Sequence, residues 1–333
     1  MKIVNSQIVK RTKPLNLIKN HNHLFENEYE KFFQSKTLNK NKNVFIFSNG
    51  LTFKKRLLLE FYINPPITFK TKFKYLLKIF FKLFSIRTFS ILERGLIITD
   101  ATSSGFFHWF GDTLQKLEAL ENSKIDLSSF TLLIPSKVLN SYSSFTLKKY
   151  NFNYRILKSI DLVFIRDVIF VPEISQSGNF RPHLAKKISE RFRFKIENKS
   201  LNKVYVSRSK AEKRKLINEN ILYPILKKNK FSIISTEDIV FTEQLKIFSN
   251  CEILISIHGA ALTNMLWMPD KSKVMEIRLK DDSLNNCYFT LASDLGHDYY
   301  YFLAEPTNSK STQLTDFRVD FKKFELSLNQ MLK

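Results

Sequence analysis

A few side chains in this 333-residue chain have the types and spacing that chemistry needs. His108 and Asp112 stand four apart in SGFFHWFGDTLQKL, so on a helix they project from one face. An imidazole beside a carboxylate suits general-base work, the one accepting a proton and the other orienting it or taking over that role. A solvated pair whose Asp complements the positive end of a helix would read the same way. Further on, the apolar run 253–257 meets His258-Gly259-Ala260-Ala261 and then a helical pattern, which spells strand, tight turn and helix. The first N–H groups of such a helix lack partners and, with the helix dipole, make an electropositive pocket suited to phosphate. Gly259, Ala260 and Ala261 lack bulk, so a ligand can approach the backbone, although an ordinary βα turn has the same letters.

These residues must be held by strands and helices. Strands at 44–48 and 96–99 precede a helix capped by Ser103 or Ser104 and running to about Glu121, with Phe107, Phe110, Leu114 and Leu117 as its buried stripe and His108 and Asp112 roughly opposite. Strands at 131–134, 154–157, 162–165 and 168–171 alternate with a helix near 138–150, and a helix at 183–197 follows a loop. The second half opens with a strand at 204–207 that runs into Arg208, then a basic helix from Ala211 interrupted near Pro224. A strand at 231–234, a helix at 242–250, the 253–257 strand with its turn, a strand at 273–278 and an amphipathic helix at 316–332 follow. Such βα alternation implies parallel sheets covered by helices, and two series imply two α/β domains with a cleft between them. The expected division is 1–180, 200–310 and a terminal helix 311–333, with the boundary between Pro172 and Lys203. Ligands of such sheets sit outside the carboxyl ends of the strands, where Arg208, His258 and Glu276 fall. Residues 1–43 are Asn- and Lys-rich and weakly periodic, a mixed opening segment, and Asp281-Asp282 reads as a surface turn.

The 53 Lys and Arg against 31 acidic residues give +22, a surface that attracts phosphate-bearing molecules without choosing among nucleic acid, anionic lipid and nucleotide. An AT-rich coding sequence would produce the same Lys, Asn, Ile and Phe excess. Only Cys251 and Cys287 occur, which argues against a disulfide framework or a thiolate metal site and fits a reducing compartment. The opening MKIVNSQIVKRTKP has no apolar core of signal-peptide length, and no stretch reaches the roughly 18 apolar residues of a membrane span. A cytoplasmic protein, soluble or peripheral on the inner face of the membrane, is expected. In the basic amphipathic segment 70–92, Lys70, Lys74, Lys78 and Lys82 recur every four residues among Phe, Leu and Ile. That pattern suits a helix lying in an anionic membrane interface, and equally a helix buried on the sheet with a solvated lysine edge.

Three stretches in order, SGFFHWFGDTLQKL, VYVSRSKAEKRKLINE and SIHGAALTNMLWMPDKSKVMEI, resemble the sequence blocks of glycosyltransferase family 61. That resemblance implies a GT-B-like fold of two Rossmann-like domains, a nucleotide-sugar donor held by the C-terminal domain, an acceptor on the N-terminal one, and inversion at the anomeric carbon. Carried over by position, Arg208 would pair with the donor diphosphate. His258, Gly259, Ala260, Ala261 and Leu262, with Thr263 and Asn264, would contact the same group, and Glu276, at a strand end, the ribose hydroxyls. Arg214, Asn218 and Glu219 match family positions as support or ligands. Asp112 matches the acidic position after the His of the first block and is the first choice of catalytic base, with His108 next. The block departs from the family in reading Leu114-Gln115 where Leu-Pro is common. No cofactor is implied, and no metal is required where Arg208 and a helix N-terminus can stabilise the departing diphosphate. The expected activity is an inverting transfer to a hydroxyl of a glycan or lipid-linked acceptor in surface polysaccharide biosynthesis, with peripheral contact to an anionic membrane. The alternatives are a basic nucleic-acid-binding protein, of which no groove-reading helix or stacking sheet is visible, and a non-catalytic glycan-binding relative.

Overall fold

The computed structural model describes residues 1–63, 67–194, 202–308 and 315–333. The chain forms two units that interleave in sequence: unit 1 is Met1–Gln7 with Gln34–Ile174, and unit 2 is Ile8–Phe33 with Ser175–Lys333. Each holds a six-stranded sheet, so the fold is mixed α/β.

In unit 1 the strands are β1 (Asn39–Phe47), β2 (Thr52–Phe53), β3 (Thr88–Ile97), β4 (Thr131–Pro135), β5 (Tyr154–Leu157) and β6 (Asp161–Phe170), in the order β2-β1-β6-β3-β4-β5. β6, β3, β4 and β5 are parallel, whereas β1 runs antiparallel to both β6 and β2. The expectation of an all-parallel sheet is therefore corrected at this edge. The two strands expected at 162–165 and 168–171 are one, because Arg166 and Asp167 do not break it: they turn outward to Glu93 and Lys42. Helix α1 is Phe69–Leu83. Helix α2 has three registers, Phe106–His108, a π turn at Trp109–Thr113, and Leu114–Asn122. Helix α3 (Ser141–Leu147) starts on a capping box in which Asn140 and Ser143 satisfy each other's N–H groups.

Unit 2 contains β7 (Lys203–Val206), β8 (Ser232–Ile234), β9 (Ile253–Ile257), β10 (Lys273–Leu279), β11 (Asp298–Pro306) and β12 (Phe317–Arg318), ordered β8-β7-β9-β10-β11-β12, all parallel except β12. β9 carries no charge and β7 only Lys203, because both faces of these strands are covered, whereas β10 admits Lys273, Glu276 and Arg278. On one face Tyr205, Ile255, Ile257, Met275, Ile277 and Phe302 pack with α5 (Tyr223–Lys228) and α8 (Phe321–Leu332), which is capped by the Asp320 side chain. The other side carries α4 (Pro182–Phe192), α6 (Phe241–Ser249) and α7 (Cys287–Leu295), which ends at Gly296 with φ +82°. Residues 195–197 of the expected 183–197 helix, and 311–314 of the expected terminal region, lie outside the described residues.

The opening segment 8–33, weakly periodic in sequence, is ordered by tertiary contacts. Phe25 is fully buried against Phe289, Tyr299 and Tyr301, and Asn16 exchanges hydrogen bonds of 2.7 and 3.1 Å with the Tyr301 backbone. Arg11, buried, forks onto Asp294 of α7 at 2.9 and 3.0 Å. Removing one member of such a pair strands the other charge away from water. Arg11→Ala is expected to cost about 3–5 kcal/mol in guanidinium unfolding of the purified protein. A loss below about 1 kcal/mol, the scale of an exposed pair, would contradict the clamp.

Candidate functional site

The sheet of unit 2 has a topological switch between β7 and β9. After β7 the chain goes out to β8 on one side, and β9 then lies on the other. Diverging loops at such a point open a crevice beyond the carboxyl ends of the strands. Val206 and Ser256 are in register, so Arg208 and His258 leave the sheet side by side.

Arg208 lies flat on the turn: a Cβ added to Gly259 would stand 2.0 Å from its Nη1 and 2.8 Å from its Cζ. Its Nη2 donates to the Lys213 carbonyl at 3.2 Å. The Nε atoms of both Arg208 and Arg214 are buried with no hydrogen-bond partner, and neither guanidinium has a carboxylate within ion-pair distance among the described residues. Burial and the charge of Arg214 lower the pKa of Arg208, against which Tyr288, Glu237 and Glu219 act. Arg214 itself sits at φ +57°, a conformation that costs a side-chain-bearing residue on the order of 1 kcal/mol and that the surroundings impose. Two crowded cations without a counter-ion are an arrangement that an anion with two or more charges relieves.

Glu219 supports this corner. Its carboxylate accepts from Tyr205 Oη at 2.7 Å, Ser207 Oγ at 2.8 Å and Tyr223 Oη at 3.3 Å, and lies 3.4 Å from the Arg208 N–H. Asn218 bonds the Val319 backbone at 2.8 and 3.1 Å, so both act in support. The helix expected from Ala211 forms only after Asn218, because the preceding residues carry these anchors and the left-handed Arg214.

Glu276 lies in the middle of β10, level with Ser256 and Tyr301, and is fully buried. The strand-end position expected from sequence is corrected: β10 runs on to Leu279 and covers the carboxylate. Oε1 is hydrogen-bonded to His258 Nδ1, and Oε2 accepts from Tyr299 Oη at 2.5 Å. Burial opposes the charge, but His258, Arg278 and the Tyr299 hydroxyl outweigh it and hold the carboxyl below its usual range. Glu276 is thus a positioning residue for His258, whose ring also meets Tyr288 edge-on at 5.0 Å.

The residues after the turn form a 3₁₀ helix, Ala260–Trp267. Ala260 is exposed and Ala261 nearly buried, and as first residues their N–H groups have no place in the helix ladder. The Leu262 N–H is taken by the Gly259 carbonyl at 2.9 Å. Leu262, Thr263 and Asn264 are wholly buried, and Asn264 ties Gln244, the Ala261 carbonyl and Trp267 together at 3.1–3.2 Å. They build the turn from beneath. Asp282, expected at the surface, is also buried: its Oδ1 accepts from the N–H groups of Leu284 and Asn285 at 3.1 Å.

In unit 1, α2 follows the carboxyl end of β3. The loop between them is fastened by Asp100, which accepts from Thr102 and Ser103 and meets Lys116 at 3.3 Å. Gly105, not Ser103 or Ser104, holds the cap position, since Ser103 Oγ accepts from the Asp100 N–H instead. Nor is the helix amphipathic from Trp109 on, because Gln115, Lys116 and Glu118 are buried with partners in Gly111 O, Ile98 O and Tyr150 Oη. Within the π turn Asp112 is buried, and its Oδ2 bonds His108 Nδ1 at 2.7 Å. The His108 side chain is 37% exposed against 7% for Asp112. That hydrogen bond, aided by the charges of Asp112 and Asp100, outweighs burial and raises the His108 pKa above its ordinary 6.5. Rare π turns recur at functional sites. Arg214, Tyr288, Tyr299 and Asp100 join the list of residues that matter here, and of them only Arg214 had a sequence signal, as a family position.

The model of the family Glycosyltransferase 61 matches residues 106–275, from the start of α2 into β10. The EGF domain-specific O-linked N-acetylglucosamine transferase of Drosophila melanogaster is 30% identical over 165 residues, 45% of this chain and 31% of that protein. The protein of that name from Gallus gallus is 30% identical over 127 residues, 33% of this chain and 23% of its own length. That from Xenopus laevis is 42% identical over 59 residues, 18% and 11% respectively. The chain spans about a third or less of these relatives. The family match covers just over half of the chain and takes in the His108–Asp112 pair, the arginine pair and the turn after β9, so the chain belongs to glycosyltransferase family 61.

Proposed function

We propose that the protein is an inverting glycosyltransferase moving a sugar from a nucleotide-sugar donor to a hydroxyl of a glycan or lipid-linked acceptor in surface polysaccharide biosynthesis. The observation that carries the proposal is the pair Arg208 and Arg214, two guanidiniums with no carboxylate within ion-pair distance among the described residues, at the switch point of a parallel sheet. Their combined charge suits a diphosphate, with the N–H groups of Ala260 and Ala261 as further donors. A GT-B-like pair of Rossmann-like domains, unit 2 for the donor and unit 1 for the acceptor, belongs to the same proposal. Both cysteines are free thiols, which fits a reducing compartment and a reaction on the cytoplasmic side.

In the proposed reaction the acceptor hydroxyl gives its proton to His108 while its oxygen forms the new bond to the anomeric carbon. The bond from that carbon to the diphosphate breaks, and the leaving oxygen keeps the electron pair. Asp112 was the first choice of base from sequence, but its Oδ2 holds the more exposed imidazole, so the proton goes to His108 and Asp112 orients it. The guanidiniums take the growing charge on the leaving group. Glu276 fixes the His258 ring, and through it the turn on which Arg208 rests.

Asp112→Asn is expected to keep donor affinity and lose about 10²–10⁴ in kcat, the range of general acid–base catalysis. Because His108 must be deprotonated to act, kcat/KM of the unaltered enzyme falls as pH drops through a pKa above 6.5. In Asp112→Asn that limb moves to lower pH, whereas an unmoved limb and full activity would remove the pair from the chemistry. Arg208→Ala should weaken nucleoside diphosphate binding by about 1.5–3 kcal/mol, roughly ten- to a hundredfold, in calorimetry. Gly259→Ala should weaken it as well, because the new methyl displaces the guanidinium, with little change in melting temperature. Wild-type affinity in Gly259→Ala would mean that this placement of Arg208 serves no ligand. With the guanidiniums balancing the leaving group, turnover should survive a chelator.

A further inference from the structure

Helix α1 presents its apolar side outward. Its anchoring stripe is Thr71, Tyr75 and Ile79, with Lys82 Nζ donating to the Ser159 carbonyl at 2.5 Å. At about 100° per residue the side opposite that stripe carries Phe73, Leu77, Phe80 and Phe84. These are exposed by 55, 42, 54 and 67%. Lys70, Lys74 and Lys78 line one flank of the apolar side, Lys72 lines the other, and all four are exposed. The sequence has no acidic residue between Glu60 and Glu93. The helix buried on the sheet with a solvated lysine edge is therefore not what forms: the lysines flank an apolar ridge that faces water.

Water is a poor solvent for such a ridge, and the charge around it selects the occupant. A second copy docked on the same face would set lysines against lysines, whereas an anionic bilayer offers apolar depth under the ridge and negative headgroups at its flanks. Beside the helix a pocket of about 640 Å³ is lined by Leu57, Ile67 and Leu76 with Lys55, Lys72 and the Arg56–Glu60 ion pair, so its lining is apolar with a net positive charge. No helix among the described residues is long and apolar enough to cross a membrane, so the mode is lying in the interface. We propose that α1 seats unit 1 on an anionic bilayer, apolar ridge down and lysines among the headgroups. The proposal stands apart from the catalytic reading, because binding is measured without turnover.

The test is sedimentation of the purified chain with vesicles of phosphatidylcholine alone or mixed with phosphatidylglycerol. Binding to the mixed vesicles, weakened by salt, is expected, with little to the neutral ones. Lys70→Gln, Lys74→Gln and Lys78→Gln together should lower partitioning about a hundredfold at low salt, at roughly fivefold per lysine. Phe73→Ser with Phe80→Ser should lower it by a similar factor or more with little change in melting temperature, since both side chains are more than half exposed. In the unaltered protein, hydrogen exchange over 69–84 should slow on the mixed vesicles, a readout that needs no variant. Equal binding to both vesicle types, indifference to all these substitutions, or no binding would overturn the proposal. So would a dimer in sedimentation velocity that the Phe73→Ser, Phe80→Ser variant dissolves, which would make the face a protein interface.

Discussion

A carboxylate with no access to water, Glu276, sets the terms for unit 2. Placing a charge at the centre of a parallel sheet is costly unless each oxygen finds a partner, and here one meets His258 and the other Tyr299. Those partners reach outward in two directions. Through His258 the carboxylate determines how the chain leaves β9 and so where Gly259 and Arg208 meet. Through Tyr299 it touches Phe25, and with it the segment 8–33, which Arg11 and Asn16 fasten to α7 and β11. The segment that looks least structured in sequence therefore backs the turn that matters most.

The charges at this site are treated unequally. Glu276, Glu219 and Asp282 are each fully partnered, whereas Arg208 and Arg214 are left with buried Nε atoms and no carboxylate among the described residues. Glu219 and Glu237 lie near enough to act on Arg208, but among the described residues no carboxylate forms an ion pair with either guanidinium, which leaves the corner short of directly paired negative charge. In the reading proposed above, a ligand diphosphate supplies that charge. On unit 1 the logic is reversed, because Asp112 is committed to His108 and raises the basicity of a half-exposed imidazole. Protein-side pairing leaves a more basic imidazole on unit 1 and, among the described residues, two guanidiniums outside any ion pair on unit 2.

What was legible in the sequence follows from where the stabilising contacts come from. β7 and β9 announce themselves as short apolar runs because both faces are covered, β10 shows through its alternating Val274, Glu276 and Arg278 among Met and Ile, and the turn after β9 shows as a lapse in bulk and charge. β11 was missed: DYYYFLAEP neither alternates nor stays charge-free, and its tyrosines face partners that only the fold supplies. The same holds for α2, whose Gln115, Lys116 and Glu118 look solvent-bound until Gly111, Ile98 and Tyr150 are placed beside them. Glu276 was visible as a carboxylate in an apolar strand, yet its commitment to His258 depends on a register that no spacing reveals. For α1 the lysine period was readable, but which side faces inward is decided by the contacts of Tyr75 and Ile79 and by the Lys82 bond to Ser159.

The central claim is that the arginine pair beside Gly259 is a nucleoside diphosphate site. Its most direct test is a thermal-shift series on the unaltered protein with nucleoside diphosphates, the matching nucleosides, and single-stranded RNA, in the presence of a chelator. The account predicts that one family of nucleoside diphosphates raises the melting temperature while its nucleoside does not. Silence toward every diphosphate, with salt-sensitive stabilisation by RNA, would contradict it.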